Sequence, residues 1–570
     1  MAGLGEIIRV ARGEMPCDLV LKGGNLINVL SGEIYQADVG IFDGIVVGIG
    51  NYQAREEIDV TGKYLCPGFI DGHVHIESSM VEVREFARAV VPLGTTSVVI
   101  DPHEIANVFG LEGIQYMLKS SKFNPLNVFL MLPSCVPATE FETSGSTLRG
   151  FDLYPLLTEK WVLGIGEVMN YPGVLRLDQD LLDKITMADE KRVDGHAPGL
   201  TGRDLCAYIA AGVGSDHEGT TVEEVREKLR LGLHVMIREG SLTKNLRDLL
   251  PVITPYNINR CFFVTDDRHP KDILEEGHIN FMVKTAIEMG IDPVSAIRLA
   301  TINAAEYFKL DKLGAIAPGF VADIVVLDSL EEVRASMVFK RGELVAKDGR
   351  LLDLPVKPPK VPLRSSVNIK FLTLDDFKIP AKGTKIRAIE ILPRQIKTRE
   401  FIADARIVDG CAVSNPDEDI IKVVVIERHH ASDNIGRGFL KGLGLKKGAL
   451  ASTVSHDSHN IVVAGVNDED MLEAVIELAR MKGGLSIVSD GRVLARLPLP
   501  VAGLMSEEPM TKVKEELERL DEAGASLGIS ISDPFMALSF ITLAVVPDLK
   551  LTDLGLFDVK AYKFVDLFVE

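Results

Sequence analysis

The chain has 570 residues, 46% of them hydrophobic, and a formal charge of −20. A polyanionic partner needs clustered Lys and Arg, so this charge excludes a nucleic-acid surface and points to a small substrate. No apolar run reaches the roughly 18 residues of a membrane span, the first residues carry no secretory leader pattern, and the length predicts three or more domains at about 100–200 residues each.

From Asp18 to Val60, short β-rich pieces such as Leu19-Val20-Leu21 and Val46-Val47-Gly48-Ile49 alternate with Gly23-Gly24 and Asp43-Gly44, the spacing of a small β-sandwich. Residues 1–66 do not close on themselves, and the missing part is expected at 313–354, where Ile324-Val325-Val326-Leu327 and Val338-Phe339 stand. Between them, residues 67–312 alternate apolar strand-like runs with helix-length segments. After the run ending at His73-Val74-His75 come Thr96–Asp101, Val128–Leu132, Trp161–Gly166, Arg192–His196, Gly212–Asp216, Leu233–Arg238 and Cys261–Asp266, eight strands in all. Eight βα units in roughly 240 residues predict a TIM-type (β/α)8 barrel.

Pro355, Pro358, Pro359 and Pro362 predict a linker over 355–364, and residues 365–570 a separate α+β domain. Its marks are the β-like run Ile421–Ile426 and a helix opening near Asp468, with Met471, Val475 and Leu478 on one face and Gly483-Gly484 as the stop. The fold class is therefore α/β: a barrel, a discontinuous small β-sandwich and a C-terminal α+β domain. Cys17, Cys66, Cys135, Cys206, Cys261 and Cys411 form no CxxC, which predicts reduced core residues. The cytoplasm is the expected compartment, with no membrane partner, and a homo-oligomer the expected assembly.

In such a barrel, side chains at the C-terminal strand ends converge on one mouth. Successive strand residues face opposite ways, so His73 and His75 share a face, as either a metal-binding pair or two polar residues at a strand end. The strand ends supply in turn His73, His75, Glu167, His196, His217 and Asp266. Singly, each has an ordinary role open to it, such as helix capping for Glu167 or a loop position for His196. Jointly, six N/O ligands exceed what one catalytic ion uses and predict two ions roughly 3.5–4 Å apart, with Glu167 as the bridge. His103 either touches substrate or packs in its loop. His234 begins a strand and His278 lies in a helical stretch, so both are expected to be structural; His269 supports its neighbours, and His429 and His430 carry no metal spacing. His456 and His459 either form a surface turn or belong to a C-terminal domain that leans over the mouth.

The run Pro67-Gly68-Phe69-Ile70-Asp71-Gly72 ahead of His73-Val74-His75 resembles the opening strand of the amidohydrolase superfamily. Many two-metal members place a lysine, later carbamylated, at the end of the fourth strand. Here that strand ends Gly164-Ile165-Gly166-Glu167, which counts against dihydroorotases and hydantoinases. Asp101-Pro102-His103-Glu104, Glu167-Val168-Met169-Asn170, Asp194-Gly195-His196-Ala197-Pro198, Ser215-Asp216-His217-Glu218, Thr265-Asp266-Asp267-Arg268 and Ser455-His456-Asp457-Ser458-His459 together resemble the bacterial and archaeal adenine deaminase family.

The resemblance implies hydrolytic deamination of adenine to hypoxanthine and ammonia by a metal-bridging hydroxide, in purine salvage or nitrogen use. It implies two divalent transition-metal ions, manganese or iron foremost and zinc as a further candidate. The catalytic residues are then Glu167 and Asp266, with Asp266 carrying a proton from the hydroxide to the leaving amine. Asp267 is placed to bind a ring nitrogen, and Glu167, Glu104 or Glu218 to protonate the ring. His103, Glu104, Glu218, Asp267, His456 and His459 form the candidate substrate-contacting set. The bare base is expected to turn over far faster than adenosine. The alternative is an amidohydrolase acting on another aminopurine or a cyclic amide; a non-catalytic barrel fits poorly, because no expected ligand is missing.

Overall fold

The computed structural model describes residues 2–353, 359–392 and 395–569. Pro355 and Pro358 of the expected linker lie outside the described residues, while Pro359 and Pro362 are irregular chain.

Eight parallel strands build the barrel: β1 (Phe69–Val74), β2 (Thr95–Ile100), β3 (Asn127–Leu132), β4 (Val162–Val168), β5 (Arg192–Gly195), β6 (Ser215–Asp216), β7 (His234–Arg238) and β8 (Cys261–Val264). Hydrogen bonding links β1 through β5 in one sheet and β6 through β8 in another. Sparse bonds join the two: Gly214 N donates to Val193 O at 2.9 Å on one side, and Asp266 N to His73 O at 2.9 Å on the other. The fifth connection is weak because the run expected as Gly212–Asp216 shortens to two residues; Gly212 takes φ +114°, which no extended strand accommodates.

Inward residues of the strands, Ile70, Val99, Phe129, Met131, Met236, Phe262 and Val264, fill the barrel together with Ala304, Ala305, Tyr307 and Phe308. The last four come from the helix Ile302–Tyr307 and its C-terminal cap, which plug the lower end. With that end filled by apolar side chains, polar residues at the strand C-termini have only the upper mouth to enter.

The segments flanking the barrel join in one nine-stranded sheet. Tyr64–Pro67, from the first segment, pairs antiparallel with Ile324–Leu327 from the second. Val46 N donates to Phe320 O at 2.9 Å, so the edge strand Ile45–Ile49 curls back and encloses Leu21, Ile41, Val46, Leu65, Val326 and Phe339. An unanticipated helix, Leu4–Ala11, lays Ile7, Val10 and Ala11 against Cys17, Val20 and Phe42.

A second nine-stranded sheet lies in the C-terminal part, with Ile420–Ile426 near its centre. Side chains alternate along that strand: Val424 and Ile426 pack on the helix Asp468–Met481 through Met471, Val475 and Leu478, while Val423 and Val425 face the barrel side. That helix is capped by Asn467, whose side chain accepts from Asp470 N at 2.8 Å. Cys17, Cys66, Cys135 and Cys261 are buried free thiols, but Cys206 is exposed on a surface helix, against expectation. Among the described residues, no helix is long and apolar enough to cross a membrane.

Candidate active site

His73, His75, Glu167, His196, His217 and Asp266 come together at the mouth, all buried. Glu167, on β4, stands between two sets of imidazoles. Its Oε1 lies 3.2 Å from His75 Nε2 and 3.6 Å from His73 Nε2, while Oε2 lies 2.7 Å from His196 Nδ1 and 3.4 Å from His217 Nε2. Asp266 Oδ1 closes the first set at 3.3 Å from His73 Nε2 and 3.1 Å from His75 Nε2. Burial opposes ionisation of Glu167, but hydrogen bonds from His196, His217 and His75 prevail and hold its carboxyl well below the usual range. Asp266 behaves alike: burial raises it, and His73, His75 and Arg238 more than reverse the effect. His217 is pushed up to about 9, its burial outweighed by Glu167. Negative charge is thus concentrated where the imidazoles meet, and a cation can take the place of the protons it holds there.

Supporting contacts orient these groups. Asp101 O sits 2.9 Å from His75 Nδ1, which keeps the proton on Nδ1 and turns Nε2 inward, and Asp101 Oδ2 accepts from Glu167 N at 2.9 Å. That second contact requires glycine at 166, since a Cβ there would stand 1.9 Å from Asp101 Oδ2. Arg238, at the end of β7, donates to Asp266 Oδ2 at 3.0 Å and grips both oxygens of Glu218, one of them through NH2 at 3.1 Å. Burial opposes ionisation of Glu218 as well, yet Arg238 holds it below its ordinary value.

The other wall comes from the C-terminal part. The connection Ser455–Asn460, between the strands Ala449–Ser452 and Ile461–Gly465, carries His456 and His459 into the mouth, both buried. His456 Nδ1 lies 2.7 Å from Glu104 Oε1, and His459 Nε2 hydrogen-bonds to Glu104 Oε2. They are no surface turn: the C-terminal domain leans over the barrel. His103 begins the helix His103–Phe109 with Nδ1 3.5 Å from both Asp101 Oδ1 and Glu167 Oε1 and Nε2 3.3 Å from Glu104 Oε1. Asp267 accepts from Ser78 Oγ at 2.5 Å. Met169, Leu242, Ile396, Phe540 and Leu543 supply the apolar lining of the cavity. A cleft of about 1170 Å³ opens beside it and shares Glu218, Arg238, Leu242, Thr243 and Ile396 with it, so those residues separate the cleft from the site.

Other histidines stand apart. His234 packs on Tyr307 at the plugged lower end, with ring centroids 4.7 Å apart. His278 ties Thr95 and Asp71 together beneath β1, with Nδ1 2.9 Å from Thr95 Oγ1 and Nε2 3.2 Å from Asp71 Oδ2. His269 pairs with Asp533 at 3.1 Å, joining barrel to C-terminal part. His429 and His430 bind the carbonyls of Ser458 and Ser144. Sequence reasoning passed over Arg238, Asp101 and Phe540. Arg238 and Asp101 each carry a local signal, a charge ending the apolar strands Val235-Met236-Ile237 and Val98-Val99-Ile100; Phe540 carries none.

Comparison with known proteins places this arrangement. Residues 64–346 match the amidohydrolase family, and residues 395–563 match the adenine deaminase C-terminal domain. The chain is 50% identical over 566 residues to adenine deaminase 2 of Carboxydothermus hydrogenoformans, covering 99% of each chain. It is 49% identical over 565 residues to an adenine deaminase of Desulfatibacillum aliphaticivorans and 48% identical over 568 residues to one of Methanothrix thermoacetophila, again over 99% of each chain. A solved structure of a beta-aspartyl dipeptidase from Fervidobacterium islandicum is 18% identical, covers 60% of this chain and 100% of its own, and superposes with a TM-score of 0.47. Near-complete coverage at half identity, with both the barrel and the C-terminal part matched, means that the chain belongs to the adenine deaminase family of amidohydrolases.

Proposed function

We propose that the chain hydrolyses adenine to hypoxanthine and ammonia, with His73, His75, Glu167, His196, His217 and Asp266 holding two divalent transition-metal ions. The observation that carries this reading is the placement of Glu167, one carboxylate oxygen toward each set of imidazoles. The residues fit such ions in a second respect: His73 Nε2 is buried and has no hydrogen-bond partner among the described residues. Imidazole and carboxylate donors suit manganese, iron or zinc. Cys135 stays outside the donor set, because burial pushes its thiol well above the ordinary value. When bound, a divalent ion lowers the pKa of water from about 15.7 toward 7 and so supplies hydroxide at neutral pH.

The chain's own residues do the rest. Hydroxide adds to the ring carbon bearing the amino group. Asp266, kept ionised by its imidazole neighbours and Arg238, takes the hydroxyl proton and passes it to the departing amine. Asp267, steadied by Ser78, offers a carboxylate to a ring nitrogen. Met169, Phe540 and Leu543 shield the flat base from water.

The test is ammonia release from adenine, adenosine, cytosine, guanine and dihydropyrimidines, with metal measured on the same sample. Adenine should lead the panel, and active protein should carry about two ions per chain. Preference for another aminopurine or for a cyclic amide would overturn the substrate; full activity with one ion at most would overturn the bridged pair.

A further inference from the structure

The proposed reaction leaves one role unassigned: a ring nitrogen must gain a proton as hydroxide adds, and the three glutamates lining the cavity are already committed. Glu218 is gripped at both oxygens by Arg238. Glu104 is held at Oε1 by His456 Nδ1 at 2.7 Å and at Oε2 by His459. Glu167 turns one oxygen to His75 and the other to His196, and is the proposed carboxylate shared by the ions.

His456 and His459 differ in a decisive way. His459 Nδ1 accepts from Ser455 N at 3.1 Å, so its proton sits on Nε2 and is donated to Glu104, which uses up both ring nitrogens. His456 gives Nδ1 to Glu104, while its Nε2 is buried and has no partner among the described residues. Its imidazole lines the cavity, and Phe540 stacks on it, with centroids 4.9 Å apart and planes at 11°, which fixes the ring's plane.

We infer that His456, supplied by the C-terminal part, is the catalytic acid that donates its Nε2 proton to the purine ring. This rests on the adenine-deaminating reading above. As hydroxide bonds to the ring carbon, the C=N π pair moves onto the ring nitrogen and takes the proton from Nε2, leaving a neutral imidazole. The C–N bond to the amine then breaks, with the hydroxyl proton carried to it by Asp266. The product keeps the ring proton, and water returns one to His456, so the sum is adenine plus water to hypoxanthine plus ammonia. Glu104 is a positioning residue that orients the ring and stabilises its charged form. Other charged or titratable groups facing His456 are Asp457 beside it, Asp267 across the cavity, and His459 and His103 through Glu104.

The experiment measures kcat for adenine against pH in wild type, His456→Gln and Glu104→Gln, with metal content and circular dichroism on each. His456→Gln should keep its metal and fold and lose about 10²–10⁴-fold in kcat, with the alkaline limb of the profile gone. Glu104→Gln should move that limb about 1–3 units toward acid, because a nearby anion no longer favours the imidazolium. A folded, metal-loaded His456→Gln within about threefold of wild type, limb intact, overturns the proposal alone, since an acid–base group is worth about 10² or more. If His456→Gln does not fold or load, Glu104→Gln decides: a moved limb supports the assignment, and an unmoved limb overturns it. A wild type inactive on adenine overturns the functional reading, and this proposal with it.

Discussion

Asp266 adopts φ +57°, a left-handed conformation that costs a non-glycine residue about 1–3 kcal/mol. Asp266 N donates to His73 O at 2.9 Å and Asp266 O accepts from His75 N at 3.3 Å, so the histidine-bearing end of β1 holds the conformation in place. The result is a carboxylate with one oxygen toward His73 and His75 and the other on Arg238. Asp266→Asn keeps the size of that side chain and removes its basicity, so the variant should retain much of its metal and lose about 10²–10⁴-fold in turnover. Glu167→Gln puts a neutral amide where the proposed ions would share a carboxylate, and should lose metal as well as rate. Both are checked by purifying the variants under metal supplementation and measuring metal per chain beside adenine turnover; an empty Asp266→Asn with a loaded Glu167→Gln would reverse the two roles. Arg238→Met strands two buried carboxylates, so its unfolding free energy should drop by about 3–5 kcal/mol, read by denaturant titration. His73 and His75 were legible as a same-face pair from strand parity alone. The value of Arg238 was not, because Glu218 and Asp266 lie 20 and 28 residues from it.

The strand β7 runs from His234 at the plugged end to Arg238 at the mouth. Burial, aided by Arg260, pushes His234 down to about 4 from an ordinary value near 6.5. A histidine depressed in the folded state binds protons more readily when unfolded. Its contribution to stability is therefore complete above about pH 6.5 and is lost as the pH falls through 4. His234→Gln should remove about 2 kcal/mol of the decline in wild-type unfolding free energy between about pH 7 and 5, measured by denaturant titration at both values. Equal declines in the two proteins would refute the assignment. Most barrel strands could be read as apolar runs ending in polar residues. The sixth was placed but its bounds were not, because β6 rests on two residues and on Gly212 turning the chain ahead of them. The helix Leu4–Ala11 escaped notice too, since eight residues at a chain end carry barely two turns of pattern.

At the scale of the whole molecule, the site is closed by two parts of the chain. Ile396, Phe540 and Leu543 roof a cavity whose floor is the barrel mouth. A ribose on the base has to displace that roof, so adenosine should turn over about 10²-fold or more slowly than adenine, in line with the cost of a misplaced substrate. Comparable rates in parallel ammonia assays would mean that the roof does not select. Ligands that bind only the folded chain stabilise it by mass action, about 2.7 kcal/mol at 100 times Kd. Chelation should thus lower the thermal unfolding midpoint, and manganese or iron should restore it; an unchanged midpoint after verified metal loss would argue against a site formed only on folding.

The order of the strands, the shared face of His73 and His75, and the carboxylate ending β4 follow from the sequence by itself, because period-two alternation and strand-end placement are properties of residues a few positions apart. The stop of the helix Asp468–Met481 is equally local, with Lys482 and Gly483 taking positive φ where glycines were expected to end it. Only the tertiary structure decided that Glu104 is held by His459, 355 residues away, and that Glu218 is spent on Arg238. The first contact depends on how two separately patterned bodies pack and the second on how neighbouring barrel strands align, and a buried polar group takes whichever partner the packing brings, because leaving it unpaired costs more than any local preference returns.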